Sequence, residues 1–177
     1  MRTIMSKELH LFIIWNRALS MQQKIIADLV THCEIRKIFK CHWEKETFTI
    51  KLAQFYKKKL HHSCKKEKEC GDGDFLVIVL YDNHPQHKNK ININIKKLKQ
   101  KYRQWTSGKY LIHASDTSAE AEENLKYLTH MDHKTFLKHY PSAWDGKSID
   151  KIVEKPIKLS HWQKLRLHTL HILRIFL

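Results

Sequence analysis

Glycine is scarce in this chain: there are four in 177 residues, and half of them sit in one turn, Cys70-Gly71-Asp72-Gly73-Asp74. So few glycines mark places where the backbone must reach φ > 0 or approach something closely. The four cysteines (Cys33, Cys41, Cys64 and Cys70) are too few and too irregularly spaced for a disulfide framework. No apolar stretch approaches the length a membrane span needs. Residues 1–19 hold only the short run 11–15, ended by Asn16-Arg17, which is not a cleavable signal pattern. A cytoplasmic, reducing location is the expectation. Acid is short too. Asp plus Glu number 18 against 33 Lys plus Arg, a formal +15. That balance favours anionic partners such as nucleotide phosphates, RNA, DNA or an acidic surface. The basic residues are spread along the chain, so ordinary solvated lysine is the competing explanation.

What is present is a core. A hydrophobic fraction of 42% with five Trp, six Tyr and seven Phe predicts one packed domain, its core at about residues 11–140. Residues 11–15 read as a buried strand and 18–33 as an amphipathic helix. In residues 35–43, Ile35, Phe39, Cys41 and Trp43 share one face of a half-buried strand. Residues 44–60 are again helical, with Phe48, Leu52, Phe55, Tyr56 and Leu60 at helical spacing. The run 75–81 is the most apolar and reads as a central strand covered on both faces. Strand, helix, strand, helix, strand is a βαβαβ core with room for parallel crossovers. The alternation Ile91-Asn92-Ile93-Asn94-Ile95 reads as an antiparallel neighbour, so the expected fold is α/β, a mixed sheet flanked by helices. A further strand is expected within 109–114, a helix after the capping pair Thr117 and Glu120, and a shorter helix over 132–140. A turn at Trp144-Asp145-Gly146 and a basic C-terminal helix over 156–177 complete the pattern.

Four constellations bear on chemistry. The glycine turn, flanked by Lys65, Lys66 and Lys68, has the make-up of an anion-binding nest, though it also describes a plain loop entering a central strand. It is not a Walker A loop, because the Gly-Lys-Ser/Thr ending and the following helix are absent. Asp82 closes the strand some 27 Å from Asp74 at the usual rise, so those two acids cannot share a metal. At Ile112-His113-Ala114-Ser115-Asp116 a strand ends just before a helix N-terminus, which suits a phosphate touched by His113; a backbone-satisfied histidine is the plainer alternative. The segment Lys99-Gln100-Lys101-Tyr102-Arg103-Gln104-Trp105 interleaves basic and aromatic residues, as base stacking on a nucleic acid requires. It serves equally as a solvated stretch anchored by Trp105. His61, His62, Cys64 and Cys70 are zinc-capable, but their spacing matches no common structural site.

The set Ile14-Trp15-Asn16-Arg17, His42-Trp43, Gly71-x-Gly73-x-Phe75 with Asp82, Tyr102-Arg103-x-Trp105 and Ile112-His113-Ala114-Ser115 resembles a family of small uncharacterised bacterial proteins whose fold is similar to the nucleotidyltransferase superfamily. The likeness spans about residues 11–140 and implies two-metal phosphoryl transfer, with carboxylates holding Mg²⁺ and a turn gripping the triphosphate. The motifs depart from that scheme. The turn position falls at Trp15-Asn16-Arg17, without glycine or serine, and the acid pair near Trp43-Glu44-Lys45-Glu46. Asp82 remains as the catalytic and metal-holding candidate, with Lys68, Gly71, Gly73, Arg103 and His113 as ligand-binding candidates. The expectation is a nucleotidyltransferase-like protein, divergent or inactive, that binds a nucleotide or another phosphorylated ligand. A basic nucleic-acid-binding protein without catalysis is the alternative.

Overall fold

The computed structural model of the chain describes residues 7–61 and 64–152. Strand β1 (Glu8–Ile14) leads through a 3-10 helix (Asn16–Met21) into α1 (Gln22–His32) and β2 (Glu34–Trp43). Helices α2 (Lys45–Phe55) and α3 (Lys65–Cys70) precede β3 (Gly73–Asp82). Two short strands, β4 (His87–Lys88) and β5 (Ile91–Asn92), lead to α4 (Ile93–Trp105) and β6 (Ile112–Ala114). Then follow α5 (Ser118–Thr129), α6 (His133–His139) and β7 (Ile149–Lys151).

The main sheet is mixed, in the order β6-β1-β3-β2-β7. The expected alternation of elements is present, but the chain does not run parallel through it. β3 lies between β1 and β2 and is antiparallel to both, with Ile13 opposite Val77 and Phe39 opposite Val77 on the other side. β1 and β2 are therefore parallel with β3 inserted between them, and β3 and β6 are parallel with β1 inserted. These are two interleaved split βαβ units. Only β7 pairs in parallel with its neighbour, β2. The run 75–80 is wholly apolar because helices cover both of its faces, a property that parallel pairing shares but does not own.

One layer packs α1 and α4 on Phe12, Ile14, Leu76, Ile78 and Leu80; the other packs α2, α5 and α6 on Leu11, Ile13, Trp15, Val77 and Val79. The second layer is rich in rings, with Trp15 packed in tilted contact against Trp43 (5.5 Å) and Phe75 (4.8 Å). A register shift between Ile35 and Lys37 corrects one expectation. Ile35 turns to the α1 side while Phe39, Cys41 and Trp43 face α2, because one extra residue reverses the alternation.

Residues 91–95 are not a strand of the main sheet. Only Ile91 and Asn92 pair, with β4, and α4 begins at Ile93 because Asn92 caps it by accepting from Ile95 N at 3.1 Å. The cap signal further on holds, since Thr117 accepts from Glu120 N, and the shorter helix that follows is capped by Asp132, which accepts from Thr135 N. The turn at Trp144-Asp145-Gly146 also forms, with Gly146 at φ +81°. The predicted C-terminal helix lies outside the described residues.

Candidate functional site

The glycine turn is built by packing. Gly71 leaves α3 at φ 73°, ψ 142°, a region that glycine alone occupies comfortably. A Cβ there would stand 2.9 Å from Arg17 Cγ, and one on Gly73 3.2 Å from Asn16 Nδ2. Asn16 in turn donates to Asp74 O at 3.1 Å, tying the 3-10 helix to the start of β3. Lys68 is exposed to solvent on α3. Asp82 lies at the other end of β3, nine residues and about 30 Å from Gly73. Lys68, Gly71 and Gly73 therefore do not meet Asp82; one extended strand separates them.

Asp82 is 3% exposed and its oxygens are already engaged. They accept from His84 N (2.9 Å), Asn92 Nδ2 (3.0 Å) and Asn94 Nδ2 (3.1 Å). Magnesium prefers oxygen donors, and what surrounds this carboxylate is a set of N–H groups, so the residues as placed do not fit a magnesium site. Among the described residues no group of three or more His, Cys, Asp or Glu side chains is arranged to hold a metal ion. Cys64 and Cys70 are free thiols, and burial pushes the Cys70 thiol up.

Arg103 and His113, by contrast, do come together, at the β6 edge of the sheet. His113 pairs with Ile13, and the alternation of β6 turns its ring toward α2 and α5. There it is 5% exposed, edge-on to Phe55 (5.2 Å) and Tyr56 (5.4 Å). Asn124 Nδ2 lies 3.1 Å from Nε2, and Glu120 Oε1 3.8 Å. The last turn of α4 brings Arg103, whose Nε donates to Ile112 O at 3.1 Å. Helix α3 brings Lys66, whose ammonium lies 3.3 Å from the centre of the Tyr56 ring and 5.1 Å from that of Tyr110. Burial holds the His113 ring well below the usual imidazole range, and the charges of Lys99, Lys66 and Arg103 add to that.

The three cations differ in one respect. Lys99 is neutralised by Asp116 at 2.6 Å. Lys66 and Arg103 have no carboxylate within ion-pair distance among the described residues. Burial lowers the Lys66 ammonium below its ordinary value, and neighbouring Lys58 and Arg103 push the same way. This part of the surface thus carries two part-buried charges with no acid to balance them. A groove of about 220 Å³ at the opposite edge, beside Arg36 and Lys37, is different: there Glu34 and Asp150 pair the two cations.

The sequence marks neither Tyr56 nor Asn124 as a ligand-site residue, and Lys66 only as a flank of the glycine turn. A signal existed for Asn124, which interrupts the apolar stripe Ala121, Leu125 and Leu128 and is 6% exposed. The basic-aromatic stretch 99–105 falls inside α4, where Tyr102 is fully buried and donates to Asp28 at 2.8 Å. Trp105 lies under Lys24 and Lys101. Its rings are thus occupied within the protein and do not form a stacking face.

No helix among the described residues is long and apolar enough to cross a membrane. No family model matches the chain, and no curated protein matches it. Among solved structures, a nucleoside diphosphate kinase from Aquifex aeolicus superposes with a TM-score of 0.48 at 17% identity, over 73% of this chain and 99% of that one. A likeness of that size leaves the function to be argued from the site itself.

Proposed function

We propose that the chain binds a nucleotide or another phosphorylated ligand at the β6 edge, with Lys66 and Arg103 on the phosphates and His113 beside them. One observation carries the reading: two cations without a carboxylate partner bear on a buried, uncharged imidazole. Part-buried positive charge left unbalanced is costly, and an anion offsets it through charge-assisted hydrogen bonds. Asn124 holds Nε2, so Nδ1 is the ring nitrogen left to meet a ligand. Tyr56 and Tyr110 add aromatic faces next to the charge.

In this reading the chain is nucleotidyltransferase-like only in the sense of its sequence resemblance, as a divergent binder. Transfer chemistry at Asp82 with Mg²⁺ would need a second centre at the far end of β3, where nitrogen donors occupy the acid. Titration calorimetry with the four nucleoside triphosphates and with inorganic phosphate, each with and without Mg²⁺, tests the proposal. Binding that survives metal removal and weakens at least about tenfold in Arg103→Gln supports it. No heat at millimolar ligand overturns it.

A further inference from the structure

At the end of the sheet away from Gly73 lies a polar cluster that the ligand site does not use. His10 is fully buried on β1. Its Nδ1 is 3.0 Å from Ser115 Oγ and 3.2 Å from Ser115 O; its Nε2 is 3.2 Å from Asn92 Nδ2 and 3.6 Å from Glu8 Oε2. The Asn92 amide nitrogen also meets Glu8 Oε2 at 2.9 Å and Asp82 Oδ2 at 3.0 Å. Its orientation is fixed, because its oxygen accepts from Ile95 N.

Counting hydrogens assigns the rest. The amide has two N–H groups facing two carboxylates and one imidazole nitrogen. If both go to Glu8 and Asp82, His10 Nε2 must carry its own hydrogen, directed at Glu8. Nδ1 is then bare and accepts from the Ser115 hydroxyl, whose oxygen in turn accepts from Leu11 N at 3.1 Å. This arrangement places both amide hydrogens and the Ser115 hydroxyl hydrogen, and sets Nε2–H toward the Glu8 charge across 3.6 Å. The other tautomer would donate from Nδ1 to Ser115 O at 3.2 Å, but it leaves Asn92 one hydrogen short for its three neighbours and the Ser115 hydroxyl hydrogen without this acceptor.

Ser115 is not an isolated end point. It directly follows β6, and its neighbour Asp116 is held by three groups: its carbonyl accepts from Asn92 N, its carboxylate from Lys99, and its amide donates to Glu120 Oε2 at 2.7 Å. Glu120 is the acid nearest His113. We infer that His10, held as the Nε2–H tautomer between Glu8 and Ser115, is a positioning residue for the β6–α5 turn, and that protonating it disturbs the His113 site. The inference rests on the ligand-site reading only for its functional consequence.

The groups facing His10 are known from every side. Glu8 comes from its own strand and Asp82 from β3; His87 of β4 binds Glu8 at 2.8 Å; Asn92 and Ser115 are uncharged. Cys33, beside Asp82, is a thiol that burial pushes up to about 12. Burial lowers the His10 ring below its ordinary value against the pull of Glu8 and Asp82, so it is neutral at neutral pH and gains its proton in acid. A proton on Nδ1 turns that acceptor into a donor and displaces the Ser115 hydroxyl hydrogen.

Nitrogen-15 NMR of the histidine rings in the full chain tests this without any ligand. At neutral pH His10 is expected as the Nε2–H tautomer. On acidification the amide signals of Leu11, Ser115, Asp116 and His113 should follow its titration, and in H10Q this common shift should vanish. In S115A, His10 should still titrate while His113 no longer follows. An Nδ1–H tautomer in the wild type, or a His113 response unchanged in H10Q, overturns the inference. Sulfate, whose charge is constant over the range, supplies the functional arm. Its affinity should fall severalfold from about pH 7.5 to about pH 5.5 in the wild type and stay flat in H10Q; a fall that persists in H10Q counts against His10. Absence of sulfate binding speaks against the ligand-site reading and leaves the NMR result to decide on its own.

Discussion

The amide of Asn124 lies 3.1 Å from Nε2 of His113, so the group in hydrogen-bond contact with the histidine that β6 carries inward is neutral, and the Glu120 carboxylate stands farther off at 3.8 Å. An amide orients the ring without adding negative charge of its own to the positive field of Lys66 and Arg103. Asn124→Asp should therefore weaken phosphate binding and raise the ring's proton affinity together. The expected loss is about tenfold in affinity, the size of one charge-assisted contact. Calorimetry and histidine NMR on the same variant check both halves.

Removing the unbalanced cations should cost binding more than folding. Arg103→Gln and Lys66→Met are each expected to lower nucleotide affinity by about tenfold to a hundredfold. Stability should change by about 1 kcal/mol or less, the worth of the cation–π contact of Lys66 with Tyr56. Raising the salt concentration should weaken wild-type binding in the same direction. Equal affinity in all three proteins would place the ligand elsewhere.

The glycine turn is expected to show the reverse pattern. Gly71→Ala forces a side chain into φ 73°, ψ 142°, and Gly73→Ala presses on the Asn16 amide that holds Asp74. Each should lower unfolding free energy by about 1–3 kcal/mol in urea titrations. Neither should change nucleotide affinity by more than about twofold, since the turn's role is to let β3 pass the 3-10 helix. A selective loss of binding with intact stability would restore the turn as a phosphate loop.

How far the sequence reaches is clear from three places. The strands on residues 11–15, 35–43 and 75–81 and the cap at Thr117 are legible because periodicity and capping are local. Strand direction is not local. The apolar run of β3 looks the same whether its neighbours run parallel or antiparallel, and only the register with Glu8–Ile14 decides. The Ile-Asn alternation of 91–95 misleads for a related reason: Asn92 is a cap, and Ile95 reaches the core from the first turn of α4. In the site, Arg103 and His113 are both visible as residue types. Their meeting with Lys66 depends on α3 and α4 converging on β6, which no spacing along the chain encodes.

Asp82 offers a direct test of the metal expectation. Its carboxylate accepts from one backbone and two amide N–H groups, so Asp82→Asn leaves buried donors without acceptors. The expected loss is about 1–3 kcal/mol of stability. Nucleotide affinity should be unchanged, and Mg²⁺ should shift the melting temperature of wild type and variant equally. A Mg²⁺-dependent stabilisation seen only in the wild type would make Asp82 a metal ligand after all.

Acid should destabilise the fold through its two buried histidines. Burial is the main cause that holds both His10 and His113 below the ordinary imidazole pKa of about 6.5. A base that is harder to protonate folded than unfolded leaves stability intact above pH 6.5; below it, the unfolded chain takes up protons that the folded one refuses. Stability therefore falls as the pH drops from 6.5 toward each folded value. His42 acts in the opposite sense, because its hydrogen bond to Asp74 raises its pKa. Its contribution is held in acid and lost as pH rises through the folded value. That term is small, since the side chain is 52% exposed and screened by solvent. The net expectation is a melting temperature that declines below about pH 6.5, with a shallower decline in His113→Gln than in the wild type. Thermal melts at constant ionic strength across that range check it, and parallel declines in the two proteins would count against a neutral, buried His113.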